Sequence, residues 1–215
     1  MNLVNELQIS AEKDDVLTVL RKARRLASKL GRQDIADWLK AEQNGYGSEH
    51  ALPEYRQINA VLAIKTNGYV PAGFGMMKNG IEDVPGFGSF PVPMPDAISS
   101  ILSMIENIGQ GDSLSLPVQE GTEFSRSLRS HFTIDPRYER QITFVMRLNT
   151  TQVRAIPEQI KDKVLDLACD LEAAGVHGDG MSFSAQEKAI AHTTIFNIDR
   201  STIDQLNNHG NNQKG

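Results

Sequence analysis

Arg21, Arg25, Lys29 and Arg32 recur at spacings of four, four and three. On a helix that spacing lines four cations along one face, with Lys22 and Arg24 beside them. Such a stripe can bind phosphates and gain affinity from counterion release. It can dock an acidic protein surface, where reversing its charge would turn attraction into repulsion. It can also be a solvated face that complements the helix dipole. Its natural counterpart is acidic: Asp162, Asp166 and Asp170 fall at i, i+4 and i+8, flanked by Lys161 and Lys163. The seven residues are therefore expected to bind a partner, whether within one chain, between copies in a homo-oligomer or on another protein. Nucleic acid ranks second, because the net charge of -5 disfavours coating by a polyanion and no aromatic ladder accompanies the stripe.

The other candidates for chemistry have simpler readings. The two Gly-Phe-Gly stretches, 73–75 and 86–88, lack the Lys-Ser/Thr and the strand-to-helix setting of a phosphate loop, so each is expected to be a turn over a packed phenylalanine. His50, His131, His177, His192 and His209 are scattered. His177 and Asp179 stand two apart in "HGDG", but no HExxH or Cys-His spacing joins them to make a metal site. Cys169 adjoins an apolar helical stripe and is expected to be a small core residue. Serine never occurs as GxSxG. No catalytic, cofactor-binding or metal residue is assigned, and no cofactor is expected. The enzyme alternative is a nuclease-like toxin using carboxylates such as Asp83 or Glu120 in the loop-rich middle.

Composition bounds the class. The chain has 215 residues, 40% hydrophobic and 23% charged, enough for one large domain or two smaller ones. A lone cysteine forbids an internal disulfide and suits a reducing cytosol. "MNLVNELQISAEKDD" has acids where a signal peptide needs a basic flank, and the apolar run "AVLAI" is far short of the roughly twenty residues of a spanning helix. These features predict a cytoplasmic protein that does not enter the membrane.

The elements that must position these residues follow from periodicity. Residues 2–8 suggest a helical turn or two, and Ser10 is the expected N-cap of the next helix. Val16, Val19, Leu20, Ala23, Leu26, Ala27 and Leu30 repeat at three and four and form its core face, with Gly31 as its stop. A second helix over about 33–42, with Ile35, Trp38 and Leu39 inward and Asn44-Gly45 as its end, completes a helical hairpin. The period changes to two in Ile58, Ala60, Leu62, Ile64 and Thr66, and again in Tyr138, Ile142, Phe144, Met146 and Leu148, which predicts strands. Between them, "FPVPMP" is expected to be extended near polyproline II. Asp96 opens a helix carrying Ile98, Ile101, Leu102, Ile105 and Ile108, which Gly109 should stop, and "SLSLPV" is an edge strand because Pro117 cannot donate to a ladder. After 150, Pro157 is expected at a first helical position, Ser184 and Glu187 form a capping box, "TTIFNI" is a late strand, and the polar end is expected to be disordered. The expected fold is α+β: an N-terminal helical hairpin (1–55) packed with a mostly antiparallel sheet in a β-rich middle (56–148), then C-terminal helices and a short strand (149–198) and a polar tail (199–215).

Residues 19–58 resemble the start of the AbiTii domain family. The pattern is Leu26-Ala27-x-x-Leu30-Gly31, then Trp38-Leu39-x-x-Glu42, Asn44-Gly45-Tyr46 and Pro53-x-Tyr55-Arg56. Gly178, Gly180, Met181, Ser182, Phe183 and Ser184 are similar to a Gly-x-Gly-Met-Ser-Phe-Ser segment often found in the same proteins. The resemblance implies a bacterial protein of abortive infection, in which an infected cell stops growing or dies. The family name suggests antitoxin-like or regulatory roles, and with the catalytic motifs missing the first reading is a non-enzymatic sensing, regulatory or interaction module that works through protein–protein association. The alternatives are the nuclease-like toxin and a self-associating structural unit. It supplies no catalytic residues.

Overall fold

The computed structural model describes residues 2–48, 50–67, 70–72, 75–77, 80–108, 114–132 and 137–194, with backbone alone over 70–77. The helices are α1 (Leu3–Lys13), α2 (Val16–Leu30), α3 (Gln33–Asn44), α4 (Ile98–Ile108), α5 (Glu123–His131), α6 (Thr150–Ala173) and α7 (Ala185–Thr193). The strands are β1 (Gln57–Thr66), β2 (Val70–Ala72), β3 (Gly75–Met77), β4 (Gly80–Asp83), β5 (Phe90–Pro93), β6 (Leu114–Pro117) and β7 (Ile142–Leu148). The class is α+β. Two compact units share the chain: one takes it up to Gln57, then Pro93–Asn107 and the chain from Arg154, and the other takes Ile58–Val92 and Ile108–Val153.

In the first unit all seven predicted core residues of α2 are buried, and Gly31 ends the helix in the left-handed region. The turn or two expected at residues 2–8 is a full helix that runs on to Lys13 ahead of the hairpin. Ser10 does not cap α2. It is buried within α1 and donates to Asp14 Oδ2 at 2.6 Å, because Leu3, Val4, Leu7 and Ala11 carry one buried face past it. Asp15 caps α2 instead, accepting the Thr18 N–H at 3.0 Å. Pro157 likewise lies inside α6. Val153 and Ile156 extend the buried stripe of Ile160, Val164, Leu167 and Leu171 toward the N-terminus, so the helix starts earlier. Cys169 is exposed: Ala168 takes the inward position, and one residue on is a rotation of about 100°. Of the α4 residues, Ile98 and Ile101 are buried, while Leu102, Ile105 and Ile108 are half-buried. "TTIFNI" contributes Thr193 to the end of α7. Thr194 is the C-cap of that helix, and residues 195–198 of the expected strand, the polar tail, His209, Gly109 and the turn at 73–74 lie outside the described residues.

The second unit holds an antiparallel sheet of order β4-β1-β7-β6, with β5 also pairing β1. Leu62 faces Met146 and Ile64 faces Phe144 across the β1–β7 ladder. Their inward faces join Val84, Val118, Leu128, Phe132 and Ile142 in one core. Burial follows the alternation over much of both strands, but Ala63 and Val145 are buried on the opposite face, Met146 is only half-buried, and Tyr138 lies in the turn before β7. β6 is an edge strand, as its proline requires. "FPVPMP" departs from the expected polyproline II: Phe90–Pro93 is a strand of the sheet, tolerated because its prolines stay exposed. β2 and β3 form a separate antiparallel ribbon.

Candidate functional site

The Trp-x-x-x-Glu, Asn-Gly-Tyr and Tyr-Arg residues converge on one buried cluster in the helical unit. Glu42 and Arg56 are each 0% exposed and form an ion pair. Tyr46 and Tyr55 both donate their hydroxyls to Glu42 Oε1 at 2.5 Å. Trp38 donates its indole N–H to the Tyr55 oxygen at 3.1 Å. Arg56 also donates to the carbonyls of Met94 at 3.3 Å and Asp96 at 2.8 Å, and its guanidinium lies 5.5 Å from the centre of the Tyr46 ring. Arg56 Nε has no partner among the described residues. Burial, and then the Glu42 charge, hold both phenols far above the usual tyrosine range, so both remain O–H donors. Gly45 makes the closure possible: its φ is +93°, and a Cβ there would meet the Pro95 carbonyl oxygen at 3.0 Å. The chain can thus leave α3 and let Tyr46 N–H donate to that same oxygen at 2.8 Å. A buried charge needs polar partners; Arg56 finds them at its two terminal nitrogens, and these bonds tie α3 to the distant segment 94–96.

The Gly-x-Gly-Met-Ser-Phe-Ser segment does a second structural task. The carbonyls of His177 and Gly178 accept the N–H groups of Val4 at 3.2 Å and Leu3 at 3.3 Å, capping donors that a helix start leaves unpaired. Gly178 has φ +73°, and a Cβ would lie 2.6 Å from the Phe183 ring. Glu187 anchors the loop: Oε1 accepts the His177 and Gly178 N–H groups at 2.9 Å, and Oε2 accepts the Ser184 N–H at 2.8 Å. The Gly178 and Ser184 N–H groups lower its pKa from 4.5 to about 2. The stabilisation is therefore whole above pH 4.5 and is lost as pH falls through about 2. Glu187→Gln should lower the melting temperature at pH 7 and flatten its decline between pH 4.5 and 2. Melting curves that run parallel to wild type across that range would refute the anchor.

The charged surfaces separate into committed and open groups. Arg32 is 8% exposed, pairs with Asp34 at 2.6 Å and donates to the carbonyls of Ala191 and Thr194. It lies beyond Gly31, off the helix that carries the other three. Lys29 donates to the Met181 carbonyl, a residue whose backbone is left-handed at φ +68°. This end of the stripe thus holds the chain's own C-terminal part. Arg21 and Arg25 are exposed, and neither has a salt-bridge partner among the described residues. Asp162, Asp166 and Asp170 are exposed on α6, and among the described residues they form no ion pair with the stripe. The carboxylates of the nuclease alternative sit in different pairs: Asp83 with Arg147, and Glu120 with Arg129 at 2.8 Å. Among the described residues no three metal-ligating side chains gather. No helix there is long and apolar enough to cross a membrane. The buried cluster was missed as a unit from sequence, although each of its members stood in the motif.

An α+β protein with a motif-built buried ion pair and two oppositely charged helix faces is the class these observations define. The family model for AbiTii matches residues 2–196, and the chain belongs to that family. Membership gives it a role in abortive infection, a form of antiphage defence. No curated protein and no solved structure matches the chain.

Proposed function

We propose that the protein is a non-enzymatic sensing or regulatory module of abortive infection, acting in the cytoplasm by docking a protein partner, a second copy included. The observation that carries this reading is the exposure of Arg21 and Arg25 without any salt-bridge partner among the described residues. Backbone positions four residues apart are about 6 Å apart along a helix axis. The aspartates of α6 repeat at the same interval, so one face can meet the other rung for rung. Lys29 and Arg32 serve the docking face by fixing its end to the loop and helix that follow α6.

Arg21→Glu combined with Arg25→Glu should abolish partner capture or lower the native mass, and the wild-type association should weaken as salt rises. Unchanged mass and unchanged capture would sink the docking reading. Salt-sensitive retention of DNA or RNA by the wild type, lost in the variant, would establish nucleic acid as the partner instead.

A further inference from the structure

A groove of about 580 Å³ runs between α2 and α3. We propose that it binds a small polyphosphate-bearing molecule and holds it by the phosphates alone. The rim carries Arg24, Arg25 and Lys40, all exposed and none in a salt bridge among the described residues. Arg24 spends one N–H on Gln43 Oε1 at 2.5 Å and keeps the rest of its fork, the geometry that suits phosphate oxygens. The groove has one lining carboxylate, Asp37. It accepts from the neutral Gln33 amide at 2.8 Å, so the lining keeps an excess of positive charge. Arg32 reaches the same groove with its charge already answered by Asp34.

Two further features narrow the ligand. α3 starts at the groove, with Gln33 and Ala36 lining it; its N-cap, Arg32, makes no side-chain capping hydrogen bond to the first turn, and the one acid of that turn, Asp34, is paired with Arg32. The positive end of this helix is partly answered by Asp34, whose carboxyl, against the upward push of burial, is held below its usual range by Arg32 and by backbone N–H groups of the same turn, so the positive charge of the groove comes from its side chains. None of the residues lining the groove is phenylalanine, tyrosine or tryptophan, so the lining offers no such ring for a base to stack on. The volume falls within the roughly 300–1,000 Å³ of small-molecule sites. A nucleoside triphosphate would thus be held by its triphosphate, with the nucleoside outside, and inorganic polyphosphate would fit equally. The proposal stands without the docking reading, because Arg24 and Lys40 take no part in the latter.

The test is calorimetric titration of the full chain at one ionic strength with tripolyphosphate, ATP, adenosine and citrate. Tripolyphosphate stands for the free polyphosphate and ATP for the nucleotide. Both should bind with affinities within about tenfold of each other, and adenosine should not bind. Citrate should bind at least about tenfold more weakly than either. Arg24→Gln and Lys40→Gln should each weaken binding about tenfold, the loss expected for one charge-assisted contact. Both are exposed, so the melting temperatures of the unliganded variants should match wild type. Absence of tripolyphosphate binding, variants that bind as wild type, or citrate as tight as tripolyphosphate would overturn the proposal. ATP binding more than about tenfold tighter than tripolyphosphate would show that the base is read, which overturns recognition by phosphates alone.

Discussion

Glu42→Leu should destabilise the protein by about 3–5 kcal/mol, the usual cost of leaving a buried charge without its partner. The substitution keeps an apolar side chain of related size at a position with 0% exposure. It strips Arg56 of its counter-charge and leaves the hydroxyls of Tyr46 and Tyr55 without their acceptor. The guanidinium retains only the two carbonyls of Met94 and Asp96. Adding Arg56→Met removes the stranded charge. The double variant should therefore lose less than the sum of the two single losses, by about 1–3 kcal/mol. Recovery will be partial, since the carbonyls of Met94 and Asp96 then lack a donor. Denaturant unfolding of the three variants measures the cycle. Additive losses, or a Glu42→Leu cost under about 1 kcal/mol, would mean that the pair does not hold α3 to the 94–96 segment.

Trp38→Ala should cost about 3–5 kcal/mol and lower the melting temperature by about 10 °C, at roughly 2–4 °C per kcal/mol for a chain of this size. Trp38 is 6% exposed and shares its buried helical face with Ile35 and Leu39. Its indole N–H also orients the Tyr55 hydroxyl that donates to Glu42. Trp38→Phe separates the two contributions. It keeps most of the ring and loses the hydrogen bond, so it should cost about 1–2 kcal/mol. A Trp38→Ala melting temperature equal to wild type would place the indole outside the core.

Both predictions concern residues that the family pattern contains, yet the pattern alone did not reveal their chemistry. Glu42 and Arg56 are fourteen positions apart on different elements, and no helical or strand period relates them. The Pro95 carbonyl that excludes a side chain at Gly45 comes from a segment with no sequence link to the Asn-Gly-Tyr turn. A glycine after Asn44 already marks a helix end. Its closeness to another stretch of backbone could not be foreseen. In the candidate groove, Arg24 and Arg25 lay in the basic cluster, while Lys40 joined them only because α3 packs back on α2.

Periodicity alone determined the buried face of α2, most of the inward residues of β1, the inward Ile142, Phe144 and Leu148 of β7 and the α+β class, because burial follows the geometry of a single helix or strand. The capping box of α7 was legible for the same reason, as its partners are three residues apart. Helix starts were less so: Ser10 and Pro157 carry local signals for a beginning, and flanking apolar residues that gain from burial overrode both. The assembly of segments around Pro93–Asn107 and the pairing of Glu42 with Arg56 were decided only by the tertiary structure. So was the division of one basic stripe into cations bound within the chain and cations left open. Those outcomes depend on which distant groups satisfy one another once water is excluded, and that is a property of the packed chain.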